Sequence, residues 1–292
     1  MPRSRLNTVV FLGGGRITNA LLAGLALSKY RGRLIVHDRN ADKLRALRKQ
    51  FGIATEPVLE KAVEQADLLV IAVRPDSVAD LLRHIDPVKR PLIAISLAAG
   101  IPLLHLRMAL GSRVHWARAM PSPASRSGRG LAAITYDRKL ASAERQAIRT
   151  LFEQVGQVLE VSEGEFDAFT VTYSSSHGYH ALAVLAEAAE KLGLKRRNAL
   201  LAAAHALADG ILYWREGSAS LKDLIQEAAT PGGIAAQVMH AMDEAGYARL
   251  VERGLRAGIA RARQNARKAA RAGNQRAARE SNRPRRSTRY KG

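Results

Sequence analysis

Three glycines, Gly13-Gly14-Gly15, close the apolar run Thr8–Leu12, and the helical pattern of RITNALLAGL follows at once. A Gly-x-Gly turn between a strand and a helix lets backbone approach a diphosphate without Cβ clashes. The helix start, here Arg16-Ile17, then turns its free N–H groups toward that anion. Thr18 holds the third place of Gly-x-Gly-x-x-Gly and is small enough for close helix–strand packing. Asp38 ends the next strand-like run, 25 positions after Gly13. A carboxylate there can accept hydrogen bonds from an adenosine ribose and repel a 2′-phosphate, which favours NAD. Arg39 and Arg16 act the other way, since either can pair with that phosphate. The choice between NADH and NADPH stays open at this point. A second anion site is readable in Thr230-Pro231-Gly232-Gly233. Thr230 suits an N-cap, Pro231 the first helical position, and the two glycines leave backbone N–H groups uncovered for a carboxylate.

These residues need a frame. Thr8–Leu12, Leu34–His37, Leu68–Ala72 and Leu92–Ile95 are short apolar runs of the kind buried in parallel sheets. Helical spacing fills the intervals at Ile17–Ser28, Ala41–Phe51 and Ser77–His84, and further strand patterns follow at Val114–Ala119, Leu131–Tyr136 and Gln157–Val161. Repeated βα units predict an α/β, Rossmann-type doubly wound parallel sheet with right-handed crossovers. After about Gly164 the pattern turns alanine- and leucine-rich and helical: Phe166–Leu192, Arg197–Trp214, Leu221–Ala228, Gly233–Ala245 and Tyr247–Ala270. The expected organisation is a dinucleotide-binding domain over residues 1–162, an all-helical substrate and dimerisation domain over 163–270, and a basic, disordered tail over 271–292. In such a plan the cofactor rests on the first part and the substrate at the junction.

Composition sets limits. A chain of 292 residues with 47% hydrophobic content can bury two cores. Cysteine is absent, which excludes disulfide and thiol chemistry. No apolar run approaches the roughly 18 residues of a membrane span, and MPRSRLNTVVFLGGG lacks the apolar stretch and cleavage site of a secretory signal. A cytoplasmic location is expected. His177 and His180 stand without a carboxylate cluster, so no metal is expected. The net charge of +20 is concentrated late: Arg261–Gly292 holds twelve Lys or Arg against the single acidic Glu280. Nucleic acid is therefore an unexpected partner, except through that tail.

The ordered segments resemble the pyrroline-5-carboxylate reductase family. FLGGGRITNALLAGL is similar to the family's opening turn, and ADLLVIAVRP to its Ala-Val-Lys-Pro segment with Arg74 replacing lysine. ISLAAGI (Ile95–Ile101), RAMP (Arg118–Pro121), DAFTVTYSSSHGYH, EAAEKLGL and ATPGG follow in family order. The match runs from about residue 8 to 265. The resemblance implies a nicotinamide-dependent reductase that moves hydride to the carbon of a cyclic imine, giving L-proline, and a homodimer or larger homo-oligomer built through the helical domain. It adds Ala72, Val73, Arg74, Pro75 and Ala98 to the cofactor-binding residues Gly13, Gly14, Gly15, Arg16, Ile17, Asp38 and Arg39.

The chain departs from the family where substrate and nicotinamide meet. Ile234 and Ala235 replace two threonines after Pro-Gly-Gly, Ser122-Pro123-Ala124 replaces Asn-Thr-Pro, and Tyr173–Tyr179 replaces a Ser-Gly-Ser-Gly-Pro-Ala-Tyr segment. Ser122 and Ser174–Ser176 can supply replacement hydroxyls or simply cap helices. Tyr179 matches a family tyrosine. His177, at the place of the family's proline, can donate a proton to the imine nitrogen. The expected catalytic set is His177, Ser175, Ser176 and Tyr179; the expected substrate set is Thr230, Pro231, Gly232, Gly233 and Ser122. The altered pocket also admits two other readings: a reductase of another small imine or keto acid, or a non-catalytic dinucleotide sensor with a basic contact tail.

Overall fold

The computed structural model describes residues 7–281. Eight strands are formed: β1 Thr8–Leu12, β2 Arg33–His37, β3 Ala54–Thr55, β4 Leu68–Ile71, β5 Leu92–Ser96, β6 Val114–Met120, β7 Gly130–Tyr136 and β8 Gly156–Glu160. They make one sheet in the order β3-β2-β1-β4-β5-β6-β7-β8. Every pairing is parallel except β6 with β7. The strand order reverses direction between β1 and β4, the switch point where doubly wound sheets bind ligands. The expected sheet is present, with one antiparallel pairing that the runs alone do not announce.

Helices α1 Arg16–Leu27, α2 Ala41–Phe51 and α6 Ser142–Glu153 cover one face; α3 Leu59–Glu64, α4 Pro75–Arg83 and α5 Leu103–Leu110 cover the other. The alternation of side chains along a strand divides the core accordingly. Val9 and Phe11 of β1 join Leu21, Leu22 and Leu25 of α1, while Val10 and Leu12 join Val78 and Leu82 of α4. β1 and β4 are thus buried on both faces, which is why they read as continuous apolar runs.

The remaining helices are α7 Glu163–Thr172, α8 Ser175–Lys191, α9 Arg196–Glu216, α10 Leu221–Ala228, α11 Ile234–Glu244 and α12 Tyr247–Ser281. The predicted single segment Phe166–Leu192 is two helices. The break comes at Tyr173-Ser174, where Ser174 takes an extended backbone and caps α8 by accepting a bond from the Ser176 N–H. α12 continues past Ala270 to Ser281, so the first part of the basic segment is helical. Residues 282–292 of the expected disordered tail lie outside the described residues.

Two compact units result. The first comprises residues up to Val171 together with those from Gly258 onward; the second is Thr172–Ala257. The expected boundary lies after residue 162, whereas α7 packs with the sheet unit. The tie is Arg118 on β6, whose buried guanidinium donates to Glu163 Oε1 and Asp167 Oδ1, both at 2.9 Å, and lies 4.1 Å from the Phe166 ring centre. Glu163 Oε1 also accepts the Leu103 N–H, so one carboxylate joins β6, α5 and α7. The middle of α12 packs in the same unit: a Cβ at Gly100, where φ is +70°, would lie 2.5 Å from the Ala262 carbonyl oxygen.

The second unit has a small core, Ala186 of α8 with Ala199 and Ala203 of α9. α10 and α11 bury no residue fully. Among the described residues, no helix is long and apolar enough to cross a membrane.

Replacing Arg118 by leucine strands two carboxylates around a buried site. Urea unfolding should show a loss of about 3 kcal/mol, the lower end expected for breaking a buried pair. An unchanged midpoint would mean that Phe166 alone holds α7.

Candidate functional site

The cleft forms where β1 ends beside β4. Gly13 has φ of +114°, and a Cβ there would fall 2.7 Å from the Ala72 carbonyl oxygen. Its N–H donates to the His37 carbonyl at 2.8 Å, and its own carbonyl accepts the Thr18 hydroxyl at 2.6 Å. The third-glycine position is therefore filled by a fully buried side chain that also ties the helix back to the turn. Gly15 is the N-cap of α1, no side chain caps that helix start, and a Cβ on Gly15 would meet nothing within 4 Å. Open space beside uncapped N–H groups on a twelve-residue helix is a ready anion cradle.

Asp38 shapes the other wall. Its Oδ2 accepts the Gly14 N–H at 2.8 Å and lies 3.6 Å from Lys43 Nζ; its Oδ1 accepts the Asn40 N–H at 2.9 Å. Burial pushes the carboxyl pKa up, but the bonds from Asn40 and Gly14 and the Lys43 ammonium outweigh it. The group consequently titrates below its ordinary 3.8.

Nine of the twelve expected cofactor residues, Gly13–Arg16, Asp38, Arg39 and Ala72–Arg74, line one cleft of about 1100 Å³. Its size suits a dinucleotide. Ile17 instead packs on the core, Pro75 is the first residue of α4, and Ala98 is buried with its N–H on Ser96 Oγ. The cleft is also lined by residues outside the expected set. Ser77 and Leu81 of α4, with His84 at its C-cap, share one face, a spacing that could have revealed them. Asn19, Lys43 and Arg126 join them. Arg126 donates to Asn19 Oδ1 across 107 positions of sequence, and no local pattern signals that.

The other expected residues occupy helix starts. Ser122 is buried and caps the short 3₁₀ helix Pro123–Ser127 by accepting the Ala124 N–H. Ser175, Ser176 and His177 form the first turn of α8 behind the Ser174 cap, and Tyr179 is exposed. In Thr230–Gly233 the geometry corrects the expectation. Thr230 is not the N-cap and Pro231 is not helical; α11 begins at Ile234 with Gly233 as its cap. The Gly233 N–H donates to the Thr230 carbonyl at 2.9 Å and Gly232 has φ of +78°, so Pro-Gly closes a reverse turn ahead of the helix. No side chain caps α11, which leaves the N–H groups of its first turn uncovered. Among the described residues, no group of three or more metal-ligating side chains occurs.

Residues 8–100 match the family model "NADP oxidoreductase coenzyme F420-dependent", and residues 163–265 match "pyrroline-5-carboxylate reductase dimerisation". The pyrroline-5-carboxylate reductase of Thermus thermophilus is 34% identical over 244 residues, covering 80% of this chain and 89% of the relative. That of Mycobacterium leprae is 30% identical over 216 residues, covering 70% and 72%. In fold, the chain is similar to the pyrroline-5-carboxylate reductase structure from Coxiella burnetii. The TM-score is 0.80 at 24% identity, over 89% of this chain and 98% of that one.

A folded pKa below the unfolded one means that the Asp38 carboxylate stabilises the fold fully above the ordinary value. That contribution is lost as pH falls through the lower folded pKa. The stability gap between wild type and Asp38→Asn, measured by denaturant titration from pH 7 downward, should hold to about pH 4 and then close. A gap independent of pH would show that the charge of Asp38 contributes nothing.

Proposed function

The chain belongs to the pyrroline-5-carboxylate reductase family, and from that premise we propose that it reduces 1-pyrroline-5-carboxylate to L-proline with NADPH or NADH. The observation that carries this reading is the cradle at the start of α1. The strained Gly13 backbone, the open space at Gly15 and the uncapped N–H groups fit a dinucleotide diphosphate, within a cleft of matching size.

When bound, the reduced nicotinamide supplies the hydride that the imine carbon accepts. The chain's part is to hold and orient. The first-turn N–H groups of α1 bind the diphosphate, and Asp38 fixes the glycine turn through the Gly14 N–H. The uncapped start of α11 holds the carboxylate of the imine acid through backbone N–H groups, which needs no hydroxyl at positions 234 and 235. His177 delivers the proton that the imine nitrogen takes up, with Ser175, Ser176 and Tyr179 as further polar groups at the same helix start. One hydride to carbon and one proton to nitrogen complete the reduction.

The helical unit exposes large apolar side chains that its small alanine core cannot cover, among them Leu201, Ile211, Tyr213 and Val238. A second copy of the chain covers them, giving a homodimer or a larger homo-oligomer.

Purified protein given NADPH or NADH and 1-pyrroline-5-carboxylate should consume reduced coenzyme and form proline in equal amounts. Coenzyme binding without turnover would overturn the assignment. At the proposed carboxylate site, a Cβ on Gly233 would lie 2.9 Å from Thr230 Oγ1. Gly233→Val should therefore raise the KM for the imine acid about tenfold or more while moving that for coenzyme little. Equal effects on both constants would remove the site from α11.

A further inference from the structure

NADPH and NADH differ by one phosphate on the adenosine ribose, so the charge of the ribose wall decides between them. An aspartate at the end of β2 by itself favours NADH. Here its charge is already engaged, by the Gly14 and Asn40 N–H groups and by Lys43, and its side chain is only 14% exposed. Its neighbours are not engaged in that way. Arg16, Arg39 and Arg126 all line the cleft and are exposed, and among the described residues none has a carboxylate partner.

One of these arginines stands where a cation is ordinarily disfavoured, and another is brought to the cleft by a close backbone approach. Arg16 is the first residue of α1, at the positive end of the helix dipole, with no acidic residue in that turn. Arg126 reaches the cleft because α1 admits the 3₁₀ helix against its backbone: a Cβ at Gly24 would fall 2.1 Å from the Ser125 carbonyl oxygen. Its guanidinium then donates to Asn19 Oδ1 at 3.0 Å, while Asn19 Nδ2 donates to Gln50 at 3.0 Å. A neutral amide holds the arginine in place without cancelling its charge. Three uncompensated guanidinium groups beside a helix N-terminus match a ligand carrying more phosphate charge than a diphosphate alone.

We propose, on the reading that this cleft binds the coenzyme, that the chain is selective for NADPH, with Arg39 binding the 2′-phosphate and Arg16 and Arg126 binding the diphosphate. Asp38 acts as a positioning residue that shapes the turn and does not select against the phosphate. Arg39 stands two residues after β2, next to Asp38 in the cleft lining, and can pair with a phosphate bidentately. Lys43, drawn to Asp38, adds its charge to the same wall.

Calorimetric titration of the full chain with NADPH, NADH, adenosine 2′,5′-bisphosphate and 5′-ADP tests this without turnover. NADPH should bind about tenfold or more tighter than NADH, and the bisphosphate tighter than 5′-ADP by a similar factor. Arg39→Ala, an exposed change that should not impair folding, should bring both ratios close to one. Arg126→Ala should weaken both coenzymes alike, and Asp38→Asn should leave the NADPH-to-NADH ratio within about threefold. Wild-type protein that binds NADH as tightly as NADPH, ratios unmoved by Arg39→Ala, or a large rise in NADPH preference in Asp38→Asn would each overturn the proposal. Absence of binding by either coenzyme would instead overturn the dinucleotide reading on which it rests.

Discussion

The backbone of Gly13 passes the Ala72 carbonyl so closely that no side chain fits between them. This contact sets the end of β1 against the end of β4, at the point where the sheet changes direction. Two hydrogen bonds hold it there, the Gly13 N–H on the His37 carbonyl and the Thr18 hydroxyl on the Gly13 carbonyl. Only three residues therefore separate the strand end from helix α1, and its uncapped N–H groups open into the cleft. A threonine in place of the third glycine does not weaken this arrangement. The side chain is buried, and its hydroxyl satisfies a carbonyl that would otherwise lack a partner.

The turn was readable in the sequence because each part of it is local. An apolar run buried on both faces, glycine at a positive φ and an aspartate closing the next run are all patterns within about thirty residues. The charge balance of the cleft was not readable in the same way. Asp38 looks free in sequence, and only the fold shows its oxygens occupied by Gly14, Asn40 and Lys43. Arg126 looks like one cation in a serine-rich loop, until Gly24 brings that loop against α1. The same holds for Arg118. Its place in the apolar β6 gives no hint that it joins β6 to Glu163 and Asp167, or that α7 packs with the sheet unit.

The helical unit shows the complementary difficulty, where local rules compete. Thr-Pro satisfies the preferences for a helix start, yet Pro-Gly satisfies those for a reverse turn. Gly232, with φ of +78°, decides for the turn. The start of α11 moves to Ile234, and the N–H groups of its first turn are left without a side-chain cap. Likewise the alanine-rich pattern from Phe166 to Leu192 conceals a break, because the serines that interrupt it are tolerable in a helix. Only Ser174 at an extended backbone, accepting from Ser176, makes the cap visible.

This shift has a consequence for the residues in which the chain departs from its family. A binding site built from hydroxyl side chains is lost when those side chains change to isoleucine and alanine, and discrimination falls by orders of magnitude when a polar partner goes missing. A site built from helix N–H groups is indifferent to such changes, provided that φ and ψ of the first turn are kept. Ile234 and Ala235 are good helix formers or tolerable ones, and neither side chain can cap the helix and compete for its N–H groups. Recognition of the carboxylate is therefore compatible with the altered sequence. In the proposed site the substitutions remove side-chain hydrogen bonding and leave in place the backbone N–H groups that would hold a carboxylate.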